Sequence, residues 1–293
     1  MIKSIYRTVV FSLIFCFPIS FLSCQSKKER ESKVFNSDYK FPYTLEQPTA
    51  KYVMPSDLNE ISSIEVLPNG TLACIQDEKG ILYVYDTEKR EVVNRYKFAK
   101  DGDYEGIALV NETIYVLRNN GDLFKVPRQG GEAATQKIET VLSAENDTEG
   151  LAYDPIDRQL LIACKADAGI NEKHKKHKSV FAFNLETNSV IEEPVIYLDL
   201  EALSGKLQKK KRITFNPSGI AVHPLTSNYY LIASSGNRLI VLNRSGELLF
   251  QQEISGKNFR QPEGITFDKS GKLFISNEAR DGEANILEYT FNQ

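Results

Sequence analysis

The chain has few of the residues and none of the short motifs that mark common enzyme classes. It contains three histidines and four cysteines in 293 residues. It has no GxSxG nucleophile elbow, no HExxH zinc motif and no P-loop. A calcium loop of the DxDxDG type is also absent. These absences leave the usual hydrolase and nucleotide-binding classes without support, so a role other than catalysis is the favoured interpretation.

The chain also has no large excess of positive or negative charge. The net charge is −3, and it becomes −5 if residues 1–23 are removed, because Lys3 and Arg7 leave with them. A mildly acidic chain lacks the basic surface that a general nucleic-acid binder needs. We therefore expect no nucleic-acid partner.

A short phrase recurs at nearly constant spacing along the chain. Each copy centres on a glutamate, replaced by serine in the fourth copy, ahead of an apolar residue. The central residues of successive copies lie 45, 44, 69 and 45 residues apart; they are Glu60, Glu105, Glu149, Ser218 and Glu263. A period of about 45 residues with strand-like content is typical of a β-propeller blade.

The residues after each copy follow the pattern of short antiparallel strands. A turn such as Leu67–Gly70 leads to a second apolar run such as Thr71–Ile75, and two further runs follow. Short runs rich in β-branched and aromatic residues, separated by turn formers, predict strands. The glycine after the glutamate suits close backbone approach around an axis. The sequence therefore predicts an all-β fold, a five-bladed β-propeller of four-stranded antiparallel blades.

The fifth copy leaves enough residues for only three strands, the last of them at Asn285–Phe291. We expect the missing strand within Asp38–Leu45 or Ala50–Val53. An N-terminal strand there would close the ring and cover the exposed edge of the last blade. The long interval leaves one alternative open, a sixth blade that lacks the phrase. The predicted propeller domain spans residues 38–293.

Residues 1–23 predict a bacterial lipoprotein signal peptide. Lys3 and Arg7 precede an apolar stretch that is too short to span a membrane. Cys24 stands where a lipobox places its lipidated cysteine, although two flanking positions depart from the usual residues. Ordinary cleavage and an uncleaved anchor are the alternatives. The predicted location is the cell envelope, with the protein held to the inner or the outer membrane by its N-terminal lipid.

Residues 24–37 are polar and charged without an apolar period, and they predict a flexible tether. Cys16 lies in the signal peptide and Cys24 at the lipidation position. Cys74 and Cys164 fall on second strands of blades one and three. Because those blades are not neighbours, a disulfide between them is excluded by distance, and we expect two buried, unpaired thiols.

The EG-[IL]-A phrase, the five blades and the lipoprotein-like leader resemble the SdiA-regulated family of bacterial β-propellers, which is distantly similar to NHL-repeat and phytase-like propellers. The resemblance covers roughly residues 56–291. It depends chiefly on Asp103–Ala108, Asp147–Asp154 and Gln261–Ile265. It implies a five-bladed propeller with a calcium site and no established catalytic activity. Ser218 departs from the pattern, so any acidic ring is incomplete.

The recurring glutamates are the candidate metal ligands. Inner strands begin at one mouth of the central channel, so we expect convergence there of Glu60, Glu105, Glu149 and Glu263. Confined carboxylates repel one another, and a hard cation with oxygen ligands, Ca²⁺, would relieve that repulsion. The alternative is that each glutamate caps backbone N–H groups or pairs with a neighbouring blade. A second ring of mixed charge is expected to be structural: Asp77, Asn119, Lys165, Ser235 and Glu278.

Two basic insertions, Asn171–Lys178 and Lys206–Arg212, should emerge on the face where the glutamates converge. The candidate ligand-binding residues in them are Lys173, Lys175, Lys176, Lys209, Lys210, Lys211 and Arg212. Phosphates, acidic glycans or lipid headgroups are the anionic ligands they would suit, and simple solvation is the alternative. The spacing of His174 and His177 would allow a transition metal, but a solvated loop tip is favoured. His223 is expected to be structural.

Two functions from different classes follow. The first is a membrane-tethered, monomeric binding or scaffold propeller with a calcium ion in or near its channel and an anionic ligand or protein as its partner. The second is a calcium-dependent phosphoesterase or lactonase that grips an anionic substrate with the basic loops. The first is favoured because no catalytic motif accompanies the glutamates.

Overall fold

The structure, a computed structural model, describes residues 32–128, 132–170, 177–254, 256, 258–280 and 282–292. The predicted signal peptide, Cys24 and most of the predicted tether lie outside the described residues. The same holds for Lys173, Lys175, Lys176 and His174 of the first basic insertion.

The described residues are almost entirely β-structure. The strands are, in chain order, β1 Ser32–Val34, β2 Ala50–Val53, β3 Ile61–Val66, β4 Leu72–Gln76, β5 Ile81–Asp86, β6 Glu91–Lys97, β7 Tyr104–Val110, β8 Thr113–Arg118, β9 Leu123–Pro127, β10 Gln136–Ile138, β11 Thr148–Asp154, β12 Gln159–Cys164, β13 His177–Asn184, β14 Ser189–Asp199, β15 Gly219–Val222, β16 Tyr229–Ala233, β17 Arg238–Leu242, β18 Leu248–Glu253, β19 Pro262–Phe267, β20 Leu273–Asn277 and β21 Asn285–Tyr289. One α-helix, α1, spans Leu200–Lys206, and 3₁₀ turns lie at Ser56–Leu58 and Glu132–Ala134.

These strands form five antiparallel sheets within the described residues, and each sheet is one blade. From the inner to the outer edge the orders are β3-β4-β5-β6, β7-β8-β9-β10, β11-β12-β13-β14, β15-β16-β17-β18-β1 and β19-β20-β21-β2. The prediction of a five-bladed all-β propeller is confirmed. The long interval holds the 11-residue β14 and helix α1 instead of a sixth sheet.

The last blade is closed by the N-terminal strand, as predicted from its missing fourth strand. β2 pairs with β21 over its whole length, from Ala50 opposite Glu288 to Val53 opposite Asn285. The pairing satisfies the backbone edge of β21 and joins the two ends of the propeller in one sheet.

A further strand comes from the segment expected to be a tether. β1 pairs with the outer edge of blade four, with Ser32 opposite Gln252 and Val34 opposite Phe250. The Lys33 ammonium donates to the carbonyl of Leu207 at 2.8 Å. Between β1 and β2 the chain packs three aromatic rings against blades four and five, including Phe41 stacked on Phe250 at 4.1 Å between centroids.

The apolar core lies between the faces of neighbouring blades, in five clusters of buried side chains. Cys74 and Cys164 are both buried in it and unpaired, as predicted, and burial raises the pKa of each thiol. In the part of the chain that the structure describes, no helix has the length and apolar character needed to cross a membrane.

Candidate functional site at the channel mouth

The five inner strands β3, β7, β11, β15 and β19 contact one another around the channel. All of them begin at the same end, which we call the upper mouth, and end at the lower mouth. Loops that enter an inner strand or join the second and third strands of a blade therefore emerge at the upper mouth.

The strand register identifies which residues are equivalent at this mouth. Ile61, Tyr104, Thr148 and Pro262 each pair with the second strand just before an irregularity in the ladder. The residue after each of these four therefore occupies the same place. In blade four the equivalent residue is Ser218, because its Oγ donates to the carbonyl of Pro262 as Ser62 Oγ donates to that of Tyr104. The inner ring therefore consists of Ser62, Glu105, Glu149, Ser218 and Glu263.

The inner ring differs by one member from the ring expected from the sequence. Blade one contributes Ser62, and Glu60 lies two residues earlier, at the position of Asp103. The backbone bonds show the match, because Glu60 O accepts from Asp77 N–H as Asp103 O accepts from Asn119 N–H. Aligning the repeats by their sequence matched Glu60 to the other glutamates, although Ser62 is the structural equivalent. The error arose because Ser63 stands where the other glutamate-containing copies have glycine.

The two ring serines connect neighbouring blades. Ser62 Oγ donates to the carbonyl of Tyr104 in blade two at 2.6 Å, and Ser218 Oγ donates to that of Pro262 in blade five at 2.8 Å. Both hydroxyls are committed to backbone oxygens. The Ser218 hydroxyl also lies within hydrogen-bond reach of the Glu263 carboxyl, but its proton is directed at the Pro262 carbonyl.

Lys165, from the second ring, provides a positive charge inside the mouth. Its ammonium lies 2.7 Å from Glu149 Oε1, and Glu149 is only 3 % exposed. Burial raises the pKa of Glu149, and the Lys165 charge opposes that rise. Burial acts to lower the pKa of Lys165, but the charge and hydrogen bond of Glu149, together with the charges of Asp147 and Glu105, outweigh it and the pKa is raised. Lys165 is thus the counter-ion of the inner ring.

The other two ring carboxyls are less well neutralised. Burial raises the pKa of Glu105, and the charge of Glu149 and a hydrogen bond with Asp103 raise it further. Burial likewise raises the pKa of Glu263, partly offset by the charge of Lys165 and by hydrogen bonds from Ser234 and other neighbours. The ring therefore holds more carboxyl groups than Lys165 can neutralise, and their raised pKa values show that they resist ionising together.

Three further carboxyl groups lie on the same side of the mouth as Glu263, where blades one and five meet. We call Glu60, Asp77, Glu263 and Glu278 the acidic side of the mouth. Burial and then the nearby Glu60 charge raise the pKa of Asp77 to about 6. Burial also raises the pKa of Glu278, followed by a hydrogen bond to Glu60 that requires a shared proton. The Oδ1 atom of Asp77 is buried without a hydrogen-bond partner among the described residues.

The opposite side of the mouth is basic. The Lys178 ammonium donates to the carbonyls of Lys165 and Ala166. Its pKa is lowered, mainly by burial and also by the charge of Arg212. Arg212, on the loop after α1, therefore lies within electrostatic range of Lys178. We call Lys165, Lys178 and Arg212 the basic side.

The second basic insertion divides into bound and exposed residues. Lys209 lies 3.4 Å from Glu253 Oε1, in an ion pair on blade four. Lys210, Lys211 and Arg212 are exposed. His177 pairs with Asp199 at 3.6 Å and stacks on Tyr197, so its ring is engaged at the start of β13.

The donor chemistry of the acidic side fits a hard cation, because all of its side-chain ligands are carboxylate oxygens and one of these is buried without a partner. The carboxyl groups are, however, too far apart in this arrangement to coordinate one ion together. Across the described ranges, no three His, Cys, Asp or Glu side chains converge closely enough to hold an ion. A cation would require these carboxylates to rotate toward one another.

His223 has a structural place, as expected. Its Nδ1 accepts from the backbone N–H groups of Leu225 and Thr226 at 3.2 Å. The remaining proton is therefore on Nε2, which donates to the Tyr43 hydroxyl at 2.9 Å, and Tyr43 donates to Gly271 O. Burial lowers the pKa of His223 to about 4.

Comparison with known proteins adds a family and a fold. The family model described as SdiA-regulated matches residues 49–281. Among curated proteins, none matches the chain significantly in sequence.

Solved structures similar to this chain include three enzymes. Glutaminyl cyclase of Myxococcus xanthus has a TM-score of 0.53 at 12% identity, over 84% of this chain and 96% of that one. A gluconolactonase of Xanthomonas campestris has a TM-score of 0.48 at 14% identity, over 78% and 72%. Virginiamycin B lyase of Staphylococcus aureus has 0.45 at 14% identity, over 82% and 69%. At such identities the similarity concerns the fold alone.

Proposed function

This chain belongs to the SdiA-regulated family, and we propose that its propeller is an exported, membrane-tethered binding module that holds Ca²⁺ at the upper mouth. The observation that carries the proposal is the excess of carboxyl groups over cations there. Lys165 pairs with Glu149, whereas Glu60, Asp77 and Glu278 form no ion pair with any described residue. A divalent cation would replace the shared proton and give Asp77 Oδ1 a partner.

Calcium suits this site better than other common ions. It accepts six to eight oxygen ligands in flexible geometry, so it tolerates carboxylates that must rotate to reach it. The acidic side would hold the ion with Glu60, Asp77, Glu263 and Glu278, and Glu105 and Glu149 would contribute negative charge from the inner ring. The role of the ion is to fix the blades around the mouth and to present a positive centre to a ligand.

The ion is tested by its effect on thermal stability. Ca²⁺ should raise the melting temperature of protein treated with chelator, because a ligand bound only to the folded state stabilises it. Glu60→Gln and Glu278→Gln should each weaken that response, since each removes a charge and nearly keeps the shape. Glu186→Gln, in an exposed turn at the other end of blade three, is the matched control. An unchanged melting temperature, with no calcium in elemental analysis, would contradict the proposal.

The two basic insertions would supply the second contact of the binding module. Exposed Lys210, Lys211 and Arg212, with Lys173, Lys175 and Lys176 of the other insertion, would hold an anionic group beside the cation. Phosphates, acidic glycans and lipid headgroups share that chemistry. The ligand would thus meet positive charge from both the ion and the loops.

The tether is tested through Cys24, which lies outside the described residues. Cys24→Ser should release the protein into the soluble fraction, because no described helix provides another membrane anchor. Lipid labelling of the wild-type protein alone would accompany the release. Unchanged membrane fractionation, with the leader still cleaved, would show that something other than the lipid holds the protein.

The calcium-dependent phosphoesterase or lactonase has no observation of its own in its favour. The two ring serines donate to backbone carbonyls, and His223 is enclosed by Tyr43 and a turn. The remaining route to hydrolysis is water activated by a bound ion. We therefore retain the binding module as the proposed function.

A further inference from the structure

The lower mouth of the channel contains a cavity that the proposed function does not use. Its volume is about 560 Å³, within the range of small-molecule sites. All five blades contribute to its wall, which is mostly apolar, with Val66, Leu109, Ala152, Ile220 and Phe267 among the lining residues. The cavity lies at the opposite end of the inner strands from the carboxyl groups of the upper mouth.

Besides Asp268 in the turn after β19, one carboxyl group lines this wall from an inner strand. The strand register makes Glu65 equivalent to three alanines and a threonine: Ala108, Ala152, Ala221 and Thr266. Blade one therefore carries a charged side chain where the other blades carry small ones. Glu65 lines the cavity together with Ala152, Ala221 and Thr266.

Glu65 lacks a cationic partner among the described residues. Burial raises its pKa to about 8, although hydrogen bonds from Val66 N–H and from Thr266 favour the ionised form. An ionised carboxylate in an apolar wall is costly unless a positive group joins it. The position thus combines a cavity of ligand size, an apolar wall and one carboxylate without a counter-ion.

The other titratable groups around the cavity do not provide that counter-ion. They are Tyr153 on β11, His223 after β15, and Asp268 and Lys269 after β19. His223 is neutral and already engaged with Tyr43. Asp268 accepts from the backbone N–H groups of Ser270 and Lys272, and Lys269 is exposed on the same turn.

We propose that the lower mouth is a second binding site, for a small primary amine with an apolar body. The ammonium would bind the Glu65 carboxylate, and the body would pack against the apolar wall. A neutral ligand that accepts a hydrogen bond from the protonated acid is the competing occupant. The two differ in charge, so pH separates them.

The test compares cyclohexylmethylamine with cyclohexylmethanol, which has the same body without the charge. Calorimetric titration at pH 7 in buffers of different ionisation enthalpy should show that the amine binds more tightly and that a proton is released. The affinity for the amine should rise roughly tenfold per pH unit below the pKa of Glu65, because the carboxyl must lose its proton. The affinity for the alcohol should not rise.

Two variants test the role of Glu65. Glu65→Gln should lower the affinity for the amine roughly tenfold or more and abolish both proton release and the preference over the alcohol. Glu65→Ala should do the same, and it introduces the residue that blades two to four carry, so the fold is kept. Equal affinity for the amine in wild type and Glu65→Gln would overturn the proposal, as would tighter binding of the alcohol.

The two mouths can be tested separately. Glu105→Gln, in the inner ring at the upper mouth, should leave binding of the amine unchanged. Glu65→Gln should leave the response of the melting temperature to Ca²⁺ unchanged. Loss of amine binding in Glu105→Gln would overturn the lower site as an independent one, whatever the outcome for calcium.

Discussion

Gly219 shows how closely the inner strands of neighbouring blades approach one another. A Cβ atom at this position would lie 2.4 Å from the carbonyl oxygen of Glu263 and 3.1 Å from Ile265 Cγ2. Because backbone cannot yield as a flexible side chain does, the blades would have to move apart. Gly205, in helix α1, is the opposite case, since a Cβ there would meet nothing within 4 Å.

We therefore expect Gly219→Ala to lower the free energy of unfolding by roughly 1–3 kcal/mol, as overpacking does in other cores. Gly205→Ala should instead be neutral or stabilising by up to about 1 kcal/mol, because alanine favours helix. Urea denaturation of both variants beside wild type measures the difference. Equal transition midpoints for Gly219→Ala and wild type would show that the interblade spacing is not limiting.

The sequence predicted the position of a ring residue correctly wherever that residue is followed by the glycine of the repeat. Glu105, Glu149 and Glu263 are followed by glycine, which marks the register, and the structure places all three in the inner ring. In blade one Ser63 replaces the glycine, so the spacing alone could not distinguish Glu60 from Ser62. Position-by-position comparison of the five copies could have revealed Glu65, which stands where three blades have alanine.

The ion pair between Lys165 and Glu149 could not be predicted from the sequence, for a different reason. The repeat placed Lys165 in the second ring, but a ring position does not say which neighbour a long side chain reaches. That choice depends on the pairing of Thr148 with Cys164, which brings the ends of β11 and β12 side by side. The sequence therefore predicted a mixed ring without its main ion pair.

Among the elements, the two N-terminal strands differ in how far they could be predicted. β2 was required by the count, since blade five had residues for only three strands. β1 has three residues of alternating exposure in a polar segment, which carries no strand signal. It forms because the outer edge of β18 offers unpaired backbone groups, a property of the folded blade that the local sequence does not show.

The same elements lead to a prediction about closure. A protein that starts at Pro55 lacks β2, so the edge of β21, now fully buried, would be exposed and should cause aggregation. A protein that starts at Asp38 lacks only β1 and should remain monomeric, because β2 and the aromatic contacts of Phe41 are kept. Size-exclusion chromatography and thermal melting compare the two. A monomeric, equally stable protein starting at Pro55 would show that closure does not depend on β2.

At the scale of the whole molecule, the channel separates two chemistries. The upper mouth gathers carboxyl groups from several blades with Lys165 as a counter-ion, and the lower mouth is mostly apolar, with Glu65 as the one carboxyl group that an inner strand contributes to it. The fold produces this separation because each inner strand contributes its first residues to one end and its last residues to the other. The repeated residues determine the shape of the channel. Residues that differ between the repeats, such as Lys165 and Glu65, give each mouth its own chemistry.

The charge at the upper mouth should make the metal-free protein more stable in mild acid. In the folded state burial and Glu60 raise the pKa of Asp77 to about 6 from its usual 3.8. The folded protein therefore binds this proton more readily than the unfolded chain. The resulting gain in stability is fully present below the unfolded pKa and is lost as the pH rises through about 6. His223 acts in the opposite direction, since burial lowers its pKa to about 4 and its charging in acid destabilises the fold.

Asp77→Asn isolates the contribution of the upper mouth, because His223 is present in both proteins and cancels. With chelator present, the variant should melt at a higher temperature than wild type at about pH 8, where Asp77 is ionised beside Glu60 without a cationic partner. The two melting temperatures should converge toward about pH 5, as wild type takes up the proton. Glu186→Gln should run parallel to wild type at every pH, since its carboxylate is exposed. Parallel curves for Asp77→Asn as well would mean that the carboxylates at the mouth do not repel one another, and the physical reason for a cation there would be gone.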